Sequence, residues 1–216
     1  MKEDKFQFKQ RVTIKDVAKA LNVSPATVSI VLNGKPGVGR QTRERVLKVV
    51  KDMNYRPNLV ARSLVKKRSY SIAMLITNTL NPIFPEIAAG VDQVLKKSGY
   101  SLSIISTNDD GDTERKEIEK IMARGVDGII SSAALLNNDN IKHLVKTGYP
   151  VVCVLRRVYD CPEVDFVNVD NCKGGYLGME HLVRMDHRRI GIIKGPANTS
   201  TGVERMKGML LALKDY

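Results

Sequence analysis

VSPATVSIVLN, Val23 to Asn33, decides how the first third of this chain reads. On a helix it puts Val28, Val31 and Leu32 on one side and turns Ala26, Ser29, Ile30 and Asn33 the other way. Ser24 can cap that helix, and Pro25 takes its first position, where a missing N–H costs nothing. Just upstream, TIKDVAKAL places Ile14, Val17, Ala18 and Leu21 at i, i+3, i+4 and i+7, with Thr13 and Asp16 spaced as a capping box. Asn22 and Val23 break this first helix. Downstream, NGKPGVG reads as a loop. RQTRERVLKVVKDMN reads as a third helix with Val46, Val49, Val50 and Met53 on one face, stopped by Pro57. Helix, tight turn, helix, loop, helix predicts a small three-helix unit whose first two helices form a helix-turn-helix.

The outward face of the second helix is small and polar. Ser24, Thr27 and Ser29 can hydrogen-bond phosphate or base edges. Ala26 and Ile30 can make only apolar contacts, for which a thymine methyl is the natural target. The charge supports this use. The whole chain carries +12, and residues 1–68 hold 17 Lys/Arg against 5 Asp/Glu, whereas the rest is balanced. A basic third with hydrophobic periodicity points to a polyanion partner, most simply nucleic acid. MKEDKFQFKQ at the start has no apolar core of a signal peptide, and no run approaches 18 apolar residues, so no membrane partner is expected. Cys153, Cys161 and Cys172 lack metal-ligand spacing and read as reduced thiols, which suits a cytoplasmic protein.

From Tyr70 the texture changes. SIAMLIT, YSLSIIS, DGIIS and VVCVL are short β-rich runs. Helical patterns lie between them at Pro82–Ser98, Asp112–Arg124 and Asp139–Thr147, with Gly99, Gly125 and Gly148 at helix ends. Asp165–Val169, a helix from about Asn171 to Met185, a strand in RIGIIKG and a last helix ending at Tyr216 continue the alternation. The pattern predicts an α/β parallel sheet with helices on both faces. In the last helix Met206, Met209, Leu210 and Leu213 share one side, a face that needs covering. YRPNLVARSLVKKRS, between the two textures, holds a stretch too short to be a stable helix alone. Its exposed leucine and flanking cations suit folding on contact with a partner.

TIKDVAKALNVSPATVSIVLNG…TRERVLKVVKDMNYRPNLVARSL, from residue 12 to about 65, resembles the DNA-binding domain of the lactose repressor family. VDNCKGGYLGMEHLV…HRRIGIIKGP and ERMKGMLLAL resemble that family's periplasmic-binding-protein-like sensor domain. The resemblance implies a homodimeric repressor that binds a palindromic duplex operator under control of a small effector of the sugar, sugar phosphate or purine class. It implies residues 11–56 as the helix-turn-helix domain, 57–68 as hinge or linker, 69–164 as the first sensor subdomain and 165–216 as the start of the second. Relatives run on for roughly another hundred residues, so the sensor domain is expected to be incomplete at the C-terminus and to leave apolar surface open. Ser24, Pro25, Ala26, Thr27, Ser29 and Ile30 would face the major groove. Many relatives carry Arg or His where this chain has Ile30, which removes the plainest guanine reader. Tyr55, Asn58, Ala61, Arg62 and Leu64 would serve the hinge and minor groove, with Leu64 as the wedge. Asn78, Ile83, Phe84, Asn108, Ser131, Arg156, Thr201 and Arg205 would line the effector cleft.

Two rival readings are an enzyme on a doubly wound sheet and a sugar-binding module without regulation. Neither GxGxxG nor GxxxxGK[ST] occurs, and KGGYLG at Lys173–Gly178 sits inside a helical pattern. His143, His181 and His187 are scattered with no nucleophile–base spacing. No catalytic residue, metal ligand or cofactor is expected. The basic first third argues against the unregulated module.

Overall fold

The computed structural model describes residues 12–57, 68–132 and 135–216. The chain divides into two compact units between residues 67 and 68. The first is built from α1 (Ile14–Leu21), α2 (Pro25–Leu32) and α3 (Arg40–Asp52). The capping box forms as read: Thr13 Oγ1 accepts from Asp16 N at 3.4 Å, and Asp16 Oδ2 accepts from Thr13 N at 2.8 Å. Asn22 ends α1 in the left-handed region at φ 54°, and its Nα–H stays on the helix's last carbonyls. Three residues later α2 begins. Val17, Ala18, Leu21, Val28, Val31 and Val46 make the core of this unit, with Leu32, Val49, Val50 and Met53 packed at its edge. Such a core is small, but it is continuous across all three helices. The helix α3 stops at Asp52, not at Pro57. Asn54 takes φ 49°, and Tyr55 N donates back to Val50 O at 2.9 Å, so a left-handed cap terminates it before proline can.

The second unit carries β1 (Ser71–Ile76), α4 (Ile83–Lys97), β2 (Ser101–Ser106), α5 (Gly111–Ala123), β3 (Gly128–Ser131), α6 (Asp139–Lys146), β4 (Val151–Val154), β5 (Asp165–Val167), α7 (Asn171–Arg184) and α8 (Ser200–Asp215). All five strands are parallel, in the order β2-β1-β3-β4-β5. The alternation along β1 shows why helices lie on both faces. Ala73 and Leu75 join Ile118, Ile121, Ile141 and Leu144 of α5 and α6, whereas Met74 and Ile76 join Phe84 and Ala88 of α4. Gly99, Gly125 and Gly148 close α4, α5 and α6 with φ of 73°, 66° and 69°.

Two expectations need correction. Asp165–Val167, assigned to the second sensor subdomain, pairs with β4 in register (Val152↔Asp165, Cys153↔Phe166) and completes the first sheet. RIGIIKG forms no strand among the described residues, and Ile192 and Ile193 are exposed. A parallel strand exists only with a lateral partner for its N–H and C=O groups, and no strand pairs with this run among the described residues. The helices α7 and α8 pack on each other through small residues. A Cβ on Gly175 would stand 2.1 Å from Arg205 O, and one on Gly208 would stand 1.9 Å from Cys172 O. The buried side of α8 is therefore Gly208 and Ala212, while Leu210 and Leu213 stay exposed.

Candidate nucleic-acid interface and effector edge

In the three-helix unit, capping decides which groups of α2 face outward. Ser24 Oγ accepts from Thr27 N at 3.1 Å and lies 2.9 Å from Thr27 Oγ1. That bond fixes the start of α2 and leaves Ser24, Pro25 and Ala26 exposed. Thr27 and Ser29 are half-buried. Asn33 Nδ2 donates to Ser29 O at 2.8 Å and Ser29 Oγ at 3.3 Å, so both hydroxyl-bearing ends of α2 are held in place. Ile30 is half-buried rather than bare, yet it is not among the side chains packed on the core. Val28 and Val31 are. Tyr55, expected at the hinge, packs against the three-helix core. Asn58, Ala61, Arg62 and Leu64 lie outside the described residues.

Sequence reasoning missed Arg43. Its guanidinium donates to Val31 O at 3.4 Å and Lys35 O at 2.6 Å, which ties α3 to the end of α2 and the loop after it. An arginine on the polar face of a helical pattern gives no sign of such a target. Around this frame Lys15, Lys19, Lys35, Arg45, Lys48, Lys51 and Arg56 stand exposed.

In the sheet unit, the expected effector residues fall at the carboxyl ends of adjacent strands. Asn78 lies two residues past β1 and Asn108 two past β2. Ser131 ends β3, and Arg156 lies two past β4. Asn78 Oδ1 accepts from Leu80 N and Asn81 N at 3.0 Å each, so this side chain shapes its own turn. Asn108 is exposed at φ 54° and accepts from Ser106 Oγ at 3.1 Å. Arg156 reaches across two intervening strands to Asp109, forming a forked ion pair at 2.6 and 3.4 Å. Ile83 is exposed.

Three of the expected residues are placed otherwise. Phe84 is 4% exposed and belongs to the core under α4. Ser131 is level with Leu75 and Cys153 in the ladder and so faces the same core as they do; its Oγ is fully buried with no hydrogen-bond partner among the described residues. Arg205 Nε donates to Asn171 Oδ1 at 2.9 Å, inside the α7–α8 pair. Thr201 is half-buried in the first turn of α8, beside Ser200, whose Oγ accepts from Arg157 N at 2.8 Å. The carboxyl edge is thus a row of local turns and one ion pair.

Beneath this edge lies Glu114, also unflagged by the sequence. It is 3% exposed; Oε2 accepts from Asn138 Nδ2 and Asn140 Nδ2 at 2.9 Å each, and Oε1 has no partner among the described residues. Burial pushes its carboxyl above the ordinary glutamate value, against the pull of the two amides, and Asp109 adds to the rise. Burial likewise pushes the nearby Cys153 thiol up to about 12, with Glu114 contributing, so this sulfur stays protonated and unreactive. Beyond β5, Arg157 stacks over Phe166 at 4.2 Å, beside a hollow of about 480 Å³ lined in part by Tyr159, Asp170, Asn171 and Glu204. Among the described residues no cluster of His, Cys, Asp and Glu could hold a metal ion, and no helix is long and apolar enough to cross a membrane.

Comparison with known proteins decides the lineage. Residues 13–58 match the bacterial regulatory proteins of the lacI family, and residues 69–216 match the periplasmic binding proteins and sugar binding domain of the LacI family. The chain belongs to the LacI family. Among its relatives are the HTH-type transcriptional repressor PurR of Aliivibrio salmonicida, 34% identical over 203 residues, and the ribose operon repressor of Halalkalibacterium halodurans, 36% identical over 196. The matches cover 94% and 91% of this chain but 61% and 58% of those proteins. This LacI-family chain therefore spans about three fifths of the length of the curated relatives it matches. Its fold is also that of the Lac repressor dimer bound to operator and the anti-inducer ONPF, with a TM-score of 0.83 at 26% identity, over 95% of this chain and 62% of that one.

Proposed function

We propose that this LacI-family chain acts as a transcriptional repressor that binds a palindromic duplex operator as a homodimer and answers to a small effector. In this reading residues 11–56 bind DNA, with Ser24, Pro25, Ala26, Thr27, Ser29 and Ile30 toward the major groove. Residues 57–68 form the hinge, where Asn58, Ala61, Arg62 and Leu64 serve the minor groove. The sensor begins at 69. The effector, of the sugar, sugar phosphate or purine class, meets the carboxyl edge through Asn78, Asn108, Arg156 and Thr201. Ile83, exposed at the same edge, belongs to that set, and Arg205 joins it by exchanging its bond to Asn171 for one to the effector.

One observation carries the DNA reading. The capped α1–α2 pair stands on its own core in the only part of the chain with a charge excess, and that excess accounts for the whole +12. Relatives that are repressors, and a structural neighbour described on operator, support the same reading. Titration of duplex DNA at a series of salt concentrations tests it. Log affinity is expected to fall linearly with log salt at a slope of roughly −0.9 per neutralised phosphate. No measurable affinity at low salt, or a flat salt response, would sink the reading.

A further inference from the structure

The chain enters the sheet unit at Arg68, Ser69 and Tyr70, directly after the linker that joins it to the DNA-binding unit. One carboxylate grips that entry. Asp127, in the loop between α5 and β3, accepts from Ser69 N at 2.7 Å and Ser69 Oγ at 2.9 Å through Oδ1, and from Tyr70 N at 3.0 Å through Oδ2. Partial burial pushes the Asp127 carboxyl up, but these bonds outweigh burial and hold it below the ordinary aspartate value. Further bonds tighten the same point. Asp127 N donates to Ser71 O, and Ser101 N donates to Tyr70 O, at 2.9 Å each, and the Tyr70 and Tyr100 rings lie 5.3 Å apart. Tyr70 itself sits at φ 54°, a conformation that a bulky side chain keeps only when its neighbours impose it.

The position of this grip separates it from the machinery that holds the sheet. The strand β1 is paired along its length with β2 and on its other side with β3, and its side chains fill both cores. Asp127 instead holds the two residues ahead of β1. What it fixes is the backbone of Ser69 and Tyr70, where the chain enters the sheet unit. We infer that Asp127 is a positioning residue for selective DNA binding: its carboxylate fixes the departure of the linker and thereby lets α2 read its site, without touching DNA itself. The inference rests on the DNA-binding reading above. Cooperative reading of two half-sites demands a defined spacing between recognition helices, whereas salt-driven attachment to any duplex does not.

The test begins with selection of a preferred duplex from a random-sequence pool by the wild-type chain. Affinity for that duplex and for a scrambled one is then measured for wild type, Asp127→Asn and Ser69→Ala. Asparagine keeps the size of the side chain but turns one acceptor into a donor that faces another N–H. Asp127→Asn is expected to weaken binding to the selected duplex about tenfold or more, as for loss of acceptors to held donors, and to leave the scrambled duplex within about twofold. Hydrogen exchange should speed up at the Ser69 and Tyr70 amides but not at Met74 and Leu75, showing that the sheet has not unfolded. Ser69→Ala, which keeps both backbone donors, should fall between. Unchanged affinity of Asp127→Asn for the selected duplex, or equal loss on both duplexes, overturns the inference alone. A wild type that selects no sequence overturns the DNA reading and the inference with it.

Discussion

Ile30 shows what a single side chain can settle. It is half-buried but stands apart from the core formed by Val17, Val28, Val31 and Val46. Truncating a fully buried isoleucine costs about 2–5 kcal/mol. Ile30→Ala is expected to lower stability by less than about 1 kcal/mol, seen as a small change in melting temperature, and to alter base preference where it faces DNA. Ile30→Arg should shift preference toward guanine by roughly 1–3 kcal/mol through O6 and N7. A large melting loss for Ile30→Ala would place the residue in the core instead. Glu114 and Asp127 give opposite pH signatures. Glu114 is raised above 4.5 on folding, so its stabilising effect is complete below that value and fades as pH climbs through the raised one. Asp127 is lowered below 3.8, so its contribution is present above that value and disappears as pH falls through the lowered one. Urea midpoints across pH should show the first slope in wild type and its absence in Glu114→Gln; an unchanged slope would rule Glu114 out as the cause. The sequence made the caps of α1 and α2 legible, because capping is a local exchange of bonds over three residues. It did not reveal Asp127, Arg43 or Glu114, whose partners lie 12 to 58 residues away or on another element.

At the scale of elements, adjacent glycines in KGGYLG should respond with opposite signs. A Cβ on Gly174 meets nothing within 4 Å, whereas one on Gly175 would stand 2.1 Å from the Arg205 carbonyl oxygen. Both lie inside α7. Gly174→Ala should therefore stabilise the chain by about 0.5–1 kcal/mol through backbone entropy. Gly175→Ala should destabilise it by about 1–3 kcal/mol, because the α7 and α8 backbones must separate. Denaturation midpoints moving the same way in both variants would disprove the close approach. Periodicity had placed KGGYLG in a helix and so excluded a phosphate loop, but it gave no reason for the glycines. The reason is an inter-helix distance, which no spacing within one helix encodes. Element boundaries followed the same division. The helices after residue 80 agree with their sequence patterns to within one residue, since their ends are set by nearby caps. RIGIIKG has every local mark of a strand and is not one, because pairing depends on another segment. Asp165–Val167 was legible as a strand but not as the edge of the first sheet, for the same reason.

Across the whole molecule, charge and architecture divide at the same place. The first unit carries all but one of the net positive charges, and the second is nearly balanced and holds the five-stranded sheet. The salt slope for duplex binding should consequently belong to the first unit. Neutralising Lys48 and Lys51 together should make that slope shallower, while neutralising Lys116 and Lys120 on α5 should leave it alone. Equal effects of the two pairs would mean that the sheet unit also engages phosphates. The division was readable from composition alone, because charge sums without regard to fold. The two ends of the sheet carry a consequence of another kind. A strand with one open side offers its free N–H and C=O groups to any passing chain as a template for extension. At the far end, β5 is three residues long, begins with the charge of Asp165, and has its Phe166 ring covered by the Arg157 guanidinium. An intruding strand would find little ladder to join, would bury an aspartate, and would have to displace an arginine. The β5 edge is thus a poor template for runaway stacking of copies, even while Leu210, Leu213 and Ile193 remain open to solvent.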